Sequence, residues 1–270
     1  MTVELEEGWA PYAVAGDASG DIWFTVLNPP GLARVGPGMR HEPTGDGRPM
    51  LLSVTGDTVW YTRSDDRLVR RDPGGASTEI ALPEGSAPYG IAARGDDVWF
   101  TAPGTNRIGR LADGDLSWFD IPVPESRPAM LTLDHDGTPW AALNGAGCLA
   151  RVRDGGVEIV ELPEGSAPVG ISPGVWYADI AGGAVGRAGF DGAVQHFPLP
   201  DRASRPHAVA TAADGSCWAT LWGTHQLAHI TRDGEITLHD LPGKEPHGLW
   251  VTGKEVWVAM ESGLLATVAI

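Results

Sequence analysis

Seven prolines recur along this chain at intervals of 38 to 40 residues: Pro11, Pro49, Pro88, Pro128, Pro168, Pro206 and Pro246. Each opens a small apolar run and a turn. A tryptophan then heads a second apolar run, at Trp23, Trp60, Trp99, Trp140, Trp176, Trp218 and Trp257. A period of about 40 residues with four short strand-like segments per unit marks a β-propeller, each repeat forming one blade. The repeat therefore predicts an all-β, seven-bladed β-propeller with four antiparallel strands per blade, a single domain over residues 1–270.

The third repeat shows the unit most clearly. Pro88–Ala93 reads as the inner strand, Val98-Trp99-Phe100-Thr101 as the second, Asn106–Leu111 as a turn and third, and Leu116–Pro122 as the outermost. β-Branched and aromatic residues suit these segments. Asp-Gly pairs at 113–114, 136–137, 191–192, 214–215 and 233–234 stand where hairpins need a residue with positive φ. The last repeat lacks an outer strand, and Thr2–Glu7 resembles the outer segments Ser77–Leu82 and Val157–Leu162. Pairing that N-terminal strand into the last blade closes the ring without open edges. The fifth repeat is shorter between Pro168 and Trp176, which predicts a tightened first hairpin.

A net charge of −16 argues against nucleic acid or an anionic membrane as partner. No segment reaches the ~18 apolar residues a membrane helix needs, and no basic-then-apolar leader opens the sequence, so a cytoplasmic protein is expected. Cys148 and Cys217 fall in different repeats and make neither a disulfide framework nor a metal site. A closed ring needs no second copy to cover an edge, so a monomer is expected.

Because the repeats share one frame, departures from it are informative. The residues after the seven prolines are Tyr12, Met50, Tyr89, Ala129, Val169, His207 and His247. Equivalent positions at one mouth of the channel would form a semi-apolar funnel with two imidazoles side by side, the general form of a small-molecule site. The residues before the prolines are Ala10, Arg48, Ala87, Arg127, Ala167, Arg205 and Glu245. Four places after each tryptophan stand Leu27, Ser64, Pro103, Asn144, Ile180, Trp222 and Glu261. In both sets only the last is acidic. Two carboxylates and two imidazoles at a channel mouth could hold a hard divalent cation, with a neutral histidine as base. Among the other histidines, His41, His196 and His239 lie on outer strands and His135 in a turn. His225 and His229 replace Asn106 and Arg110, away from the mouth. All six read as structural. Trp222 either lines the mouth beside His207 or packs between blades, the second being the favoured expectation. The arginines of Asn106-Arg107-Ile108-Gly109-Arg110 and its looser copies at Arg151 and Arg187 suggest blade-to-blade hydrogen bonding.

The phrases Ser86-Ala87-Pro88-Tyr89-Gly90-Ile91, Trp99-Phe100-Thr101, Arg205-Pro206-His207-Ala208, Glu245-Pro246-His247-Gly248 and Ala259-Met260-Glu261 resemble the virginiamycin B lyase family. The likeness runs the whole chain. It implies an enzyme, a carbon–oxygen lyase, that linearises streptogramin B-type cyclic depsipeptides by Mg²⁺-dependent elimination at the threonyl ester. In that reading His247 is the general base, and His207, with Tyr12 and Tyr89, contacts the substrate. Glu245 and Glu261 help hold Mg²⁺. The chain departs from the family pattern after the Trp-x-Thr phrases, where Val26, Ala102, Leu143 and Leu221 replace the glutamate frequent there. A propeller that binds a peptide or protein without chemistry, and a metal-dependent lactonase or other hydrolase, are the alternatives.

Overall fold

The structure is a computed structural model describing residues 2–270. Among the described residues, 28 strands form seven four-stranded antiparallel sheets. Two single turns of 3₁₀-helix, Pro103–Thr105 and Arg202–Ser204, interrupt them. No helix in the described residues is long and apolar enough to cross a membrane. Each inner strand packs against the inner strands of both neighbours, and the last, Pro246–Val251, packs against the first, Pro11–Gly16. The sheets are thus the blades of a closed ring. Its seam is the one expected: Thr2–Glu4 pairs with Leu264–Ala269 as the outer strand of the last blade, Thr2 opposite Ala266.

The second strands bury the most. Ile22–Val26 and Pro139–Leu143 are buried throughout, whereas outer strands such as Asp115–Asp120 alternate half-buried and exposed. Every repeat tryptophan is buried. In five blades an arginine directly opposite on the third strand lays its guanidinium over that indole, 5.2–5.9 Å from its centroid (Arg34, Arg70, Arg110, Arg151, Arg187). This cross-strand cation–π contact corrects the sequence expectation of blade-to-blade bonding. Arg110 pairs with Asp97 in its own blade and Arg187 donates to Gly174 O, while Arg151 alone of the three crosses to the next blade, at Phe190 O. In the sixth blade His229 takes the arginine's place, stacked on Trp218 at 4.4 Å. The fifth blade is tightened as expected, with only Pro173-Gly174-Val175 joining its first two strands.

Two devices hold the blades in register around the channel. The threonines of the Trp-x-Thr phrase, where present, bridge neighbours. Thr25, Thr62, Thr101 and Thr220 each accept an inner-strand N–H of their own blade and donate to an inner-strand carbonyl of the next. Small residues let the inner strands approach closely. A Cβ on Gly248 would stand 2.8 Å from both Tyr12 O and Ala13 Cα, and one on Gly170 2.5 Å from His207 O. Glycine is required there for closeness rather than for its φ.

Candidate active site

In six blades the inner strand slips register immediately after its proline. In the last blade Pro246 opposes Met260 and Leu249 opposes Val258, so His247 and Gly248 together face Ala259 alone. Such a bulge bends the strand and re-aims a side chain. Here it turns the residue after each proline toward the channel mouth. Only the third blade differs: its inner strand starts at Ile91, with Tyr89 N–H bonded to Thr101 O at 3.1 Å.

The expected ring forms. The imidazoles of His207 and His247 lie 4.7 Å apart, nearly perpendicular at 86°. The Tyr12 ring is 4.6 Å from His247 and 6.1 Å from His207. Its hydroxyl meets that of Tyr89, two blades away, at 2.5 Å. His207, His247 and Tyr12 are all buried, and Tyr89 is half-buried. Buried ionisable groups favour their neutral forms. Burial pushes His207 down to about 3, with the neighbouring His247 adding to the effect. Burial also lowers His247, against its hydrogen bond to Glu261 and the charges of Glu261 and Glu245. Burial raises the Tyr12 phenol, with Tyr89 and Glu261 adding to the rise. Both imidazoles are therefore neutral at pH 7.

Glu261 Oε2 lies 2.6 Å from His247 Nε2. An ionised carboxylate can only accept, so Nε2 carries the proton and the lone pair of the neutral ring sits on Nδ1. That nitrogen has no hydrogen-bond partner. The carboxylate thus fixes both the orientation and the tautomer of the imidazole.

The two acidic outliers are brought together by a bond that recurs around the ring. The residue four after each tryptophan donates its N–H to the carbonyl of the residue before the proline. The pairs are Leu27–Ala10, Ser64–Arg48, Asn144–Arg127, Ile180–Ala167, Trp222–Arg205 and Glu261–Glu245. Pro103, without an N–H, is the exception. Glu261 N–H reaches Glu245 O at 3.0 Å, so both carboxylates spring from one hydrogen-bonded pair of residues. Glu245 is half-buried and, among the described residues, forms no ion pair with a lysine, arginine or histidine. No group of three or more His, Cys, Asp or Glu side chains among the described residues is arranged to hold a metal by itself. Mg²⁺ keeps several waters and takes one or two protein carboxylates plus substrate oxygens, so Glu245 and Glu261, joined through their backbones, are the residues that would hold it.

Three residues that support the site were not singled out by sequence. His225, read as lying away from the mouth, is adjacent to it: its Nδ1 accepts the Glu245 N–H at 3.3 Å. Its φ of +59° matches the +57° of Asn106, whose Oδ1 likewise accepts from Ser126 N–H in the next blade. The signal was the equivalence of the two positions, and its meaning was a structural hold on the next blade. Thr220 donates to His247 O at 2.7 Å and accepts from Ala208 N–H at 3.0 Å, fixing the backbone beside both histidines. Arg205 lies over the Trp222 indole at 5.4 Å, and that indole is only half-buried, so it stands at the rim rather than wholly between blades.

The other mouth of the channel opens into a cavity of ≈ 400 Å³, walled by residues such as Val14, Ile91, Leu131, Ile171, Val209 and Leu249, with no titratable side chain in its lining. Every ionisable group of the candidate site is at the proline end.

A family model described as the virginiamycin B lyase family matches residues 2–268. A virginiamycin B lyase of Nocardia farcinica is 37% identical, the match covering 98% of this chain and 97% of that protein. The crystal structure of selenomethionine-substituted virginiamycin B lyase from Staphylococcus aureus superposes with a TM-score of 0.95 at 29% identity, covering 100% of this chain and 98% of the other. A catalytically inactive histidine-to-alanine variant of the S. aureus protein, solved with quinupristin, gives a TM-score of 0.94 at 28% identity over the same shares. Paired imidazoles backed by a carboxylate thus sit on a scaffold whose relatives are lyases along its full length, and the chain belongs to the virginiamycin B lyase family.

Proposed function

We propose that this protein linearises streptogramin B-type cyclic depsipeptides by Mg²⁺-dependent elimination, acting as a carbon–oxygen lyase. The observation that carries the reading is the convergence of His207, His247 and Glu261 at the proline-end mouth: the two imidazoles 4.7 Å apart, with a carboxylate 2.6 Å from the second. The fold of family members that act on these antibiotics supports it.

Elimination starts at the weakly acidic Cα–H of the residue whose side chain carries the ester. A base must be neutral and oriented to take that proton. His247 is kept neutral by burial and held in one tautomer by Glu261. His207, also neutral, offers a hydrogen bond to substrate without adding charge. Tyr12 and Tyr89 supply two aromatic rings inclined at 62° to each other, whose paired hydroxyls meet at 2.5 Å. Their surfaces suit the large, largely uncharged body of a cyclic peptide. Glu245 and Glu261 would hold Mg²⁺, which when bound supplies a positive charge that stabilises negative charge developing on substrate oxygens.

The test is incubation with quinupristin, with and without Mg²⁺, read by mass spectrometry. Elimination yields a linear isomer of unchanged mass, hydrolysis adds one water, and a binding scaffold leaves the cyclic compound intact. Turnover that survives a chelator would remove the ion from the reading. Turnover retained by His247→Ala, with the fold intact by circular dichroism, would remove its base.

A further inference from the structure

Blades six and seven fill the same pair of backbone positions with opposite charge. In blade seven Glu245 O accepts the N–H of Glu261 at 3.0 Å; in blade six Arg205 O accepts the N–H of Trp222 at 3.1 Å. Arg205 is exposed and lays its guanidinium against the Trp222 indole, Cζ 5.4 Å from the ring centroid. Among the described residues no carboxylate pairs with it; the same holds for Arg40, Arg48, Arg94, Arg127, Arg187, Arg202 and Arg232, but of these arginines Arg205 alone stands two residues before a histidine. A guanidinium stacked on an indole keeps its N–H edge free, and that edge matches a carboxylate. Arg205 and Glu245 each stand two residues before an imidazole, His207 and His247, and those two rings are 4.7 Å apart.

We infer that Arg205 receives the carboxylate that departs in the elimination, an inference that rests on the lyase reading above. The His247 lone pair takes the Cα proton, and the C–H electron pair becomes the Cα=Cβ bond. The Cβ–O bond breaks with its electrons on oxygen, releasing a carboxylate. The ring gains one positive charge and the leaving group one negative charge, and no water or redox partner is consumed. The new anion is drawn toward the cation of blade six, whose N–H edge stays free when the glutamates of blade seven are occupied by Mg²⁺. Arg48 and Arg127 occupy the same position before the proline in blades two and four, but there the residues after the proline are Met50 and Ala129, with no base beside them.

The experiment is steady-state turnover of quinupristin by the full chain, with its linear acid product added as inhibitor, for Arg205→Gln, Arg205→Lys and Arg48→Gln. Loss of one charge-assisted hydrogen-bonding partner should raise the product inhibition constant of Arg205→Gln about tenfold and lower kcat, with little change in KM for the cyclic substrate. Arg205→Lys should recover part of both effects, and Arg48→Gln should match the unaltered protein. If Arg205 serves only to pack on Trp222, Arg205→Gln lowers the melting temperature and leaves the product constant unmoved, which overturns the inference alone. No turnover by the unaltered protein overturns the lyase reading and this inference with it.

Discussion

Thr220→Val should uncouple the base from the scaffold. Thr220 is wholly buried, and its hydroxyl links two blades, donating across the boundary to His247 O at 2.7 Å and accepting from Ala208 N–H of its own blade at 3.0 Å. Valine keeps the shape and removes both. A buried N–H and a buried C=O then lose their partners, at about 1–3 kcal/mol each, so the substitution should cost about 2–4 kcal/mol after relaxation. At roughly 2–4 °C per kcal/mol for a chain of this size, the melting temperature should fall by roughly 5–15 °C. Denaturant titration supplies the free energy and quinupristin turnover, measured well below the transition, supplies the function. With the His247 backbone released, turnover should fall about ten- to a hundredfold, since misplacing a reacting group by about 1 Å costs on that order. Thr101→Val is the matched comparison. Thr101 is equally buried and makes the equivalent bonds, both 2.7 Å, accepting from Gly90 N–H of its own blade and donating to Ala129 O of the fourth. It should lose similar stability and much less turnover. A stability change under about 0.5 kcal/mol for Thr220→Val, or equal loss of turnover in both variants, would refute the reasoning.

Gly248→Ala should place a methyl group 2.8 Å from Tyr12 O and Ala13 Cα, backbone atoms that cannot swing aside. A cost of about 1–3 kcal/mol and a loss of turnover are expected at this contact between the last blade and the first, and a variant as stable and active as the parent would show that the contact relaxes freely. Acid stability should report His207. With the folded pKa pushed down to about 3 and an unfolded value near ~6.5, the unfolded chain binds the extra proton between these limits, so stability falls as pH drops through that window by up to about 1.4 kcal/mol per unit. His207→Asn should flatten the stability curve between about pH 6 and pH 4 relative to the parent, and parallel curves would show that the ring is not buried neutral.

The ring and its closure were readable because a repeat supplies its own comparison: Pro246 and Trp257 fix the last blade by the same spacing as Pro88 and Trp99. The same logic picked out the candidate site. Positions equivalent by repeat are equivalent in space, so Glu245 and Glu261, each the lone acid in its set, are backbone neighbours through the N–H to carbonyl bond that six blades share. What repeats cannot show is depth and reach. Tyr12 and Tyr89 were visible as ring members, but the meeting of their hydroxyls depends on side-chain length across a closed channel. The arginines were misread because a regular position says where a side chain starts and not what it lies on. Trp99 and Arg110 are direct cross-strand partners, a fact of register that spacing alone leaves open. His225 was misplaced for a related reason: its role follows from a left-handed backbone shared with Asn106, and φ is not written in the residue type.

The third position after each repeat tryptophan shows what the fold can absorb. Val26, Ala102, Leu143 and Leu221 stand there in four blades, are at most 1% exposed and lie in the apolar clusters between blades. Where the same position stays polar, its groups are paired: Arg63 bonds Asp65 and Glu79, and Asp179 accepts the N–H groups of Ala167 and Gly182, which contribute to holding it at about 2. A buried charge without such partners would cost several kcal/mol, so an apolar replacement there is neutral or stabilising. The rim one residue further on obeys a different constraint. Its backbone bond is made whatever the side chain, so Leu27, Ser64, Asn144, Ile180, Trp222 and Glu261 all fit the same backbone position. Stability therefore does not dictate what the rim presents, and the acid–imidazole arrangement of the last blade is most simply a product of its chemistry.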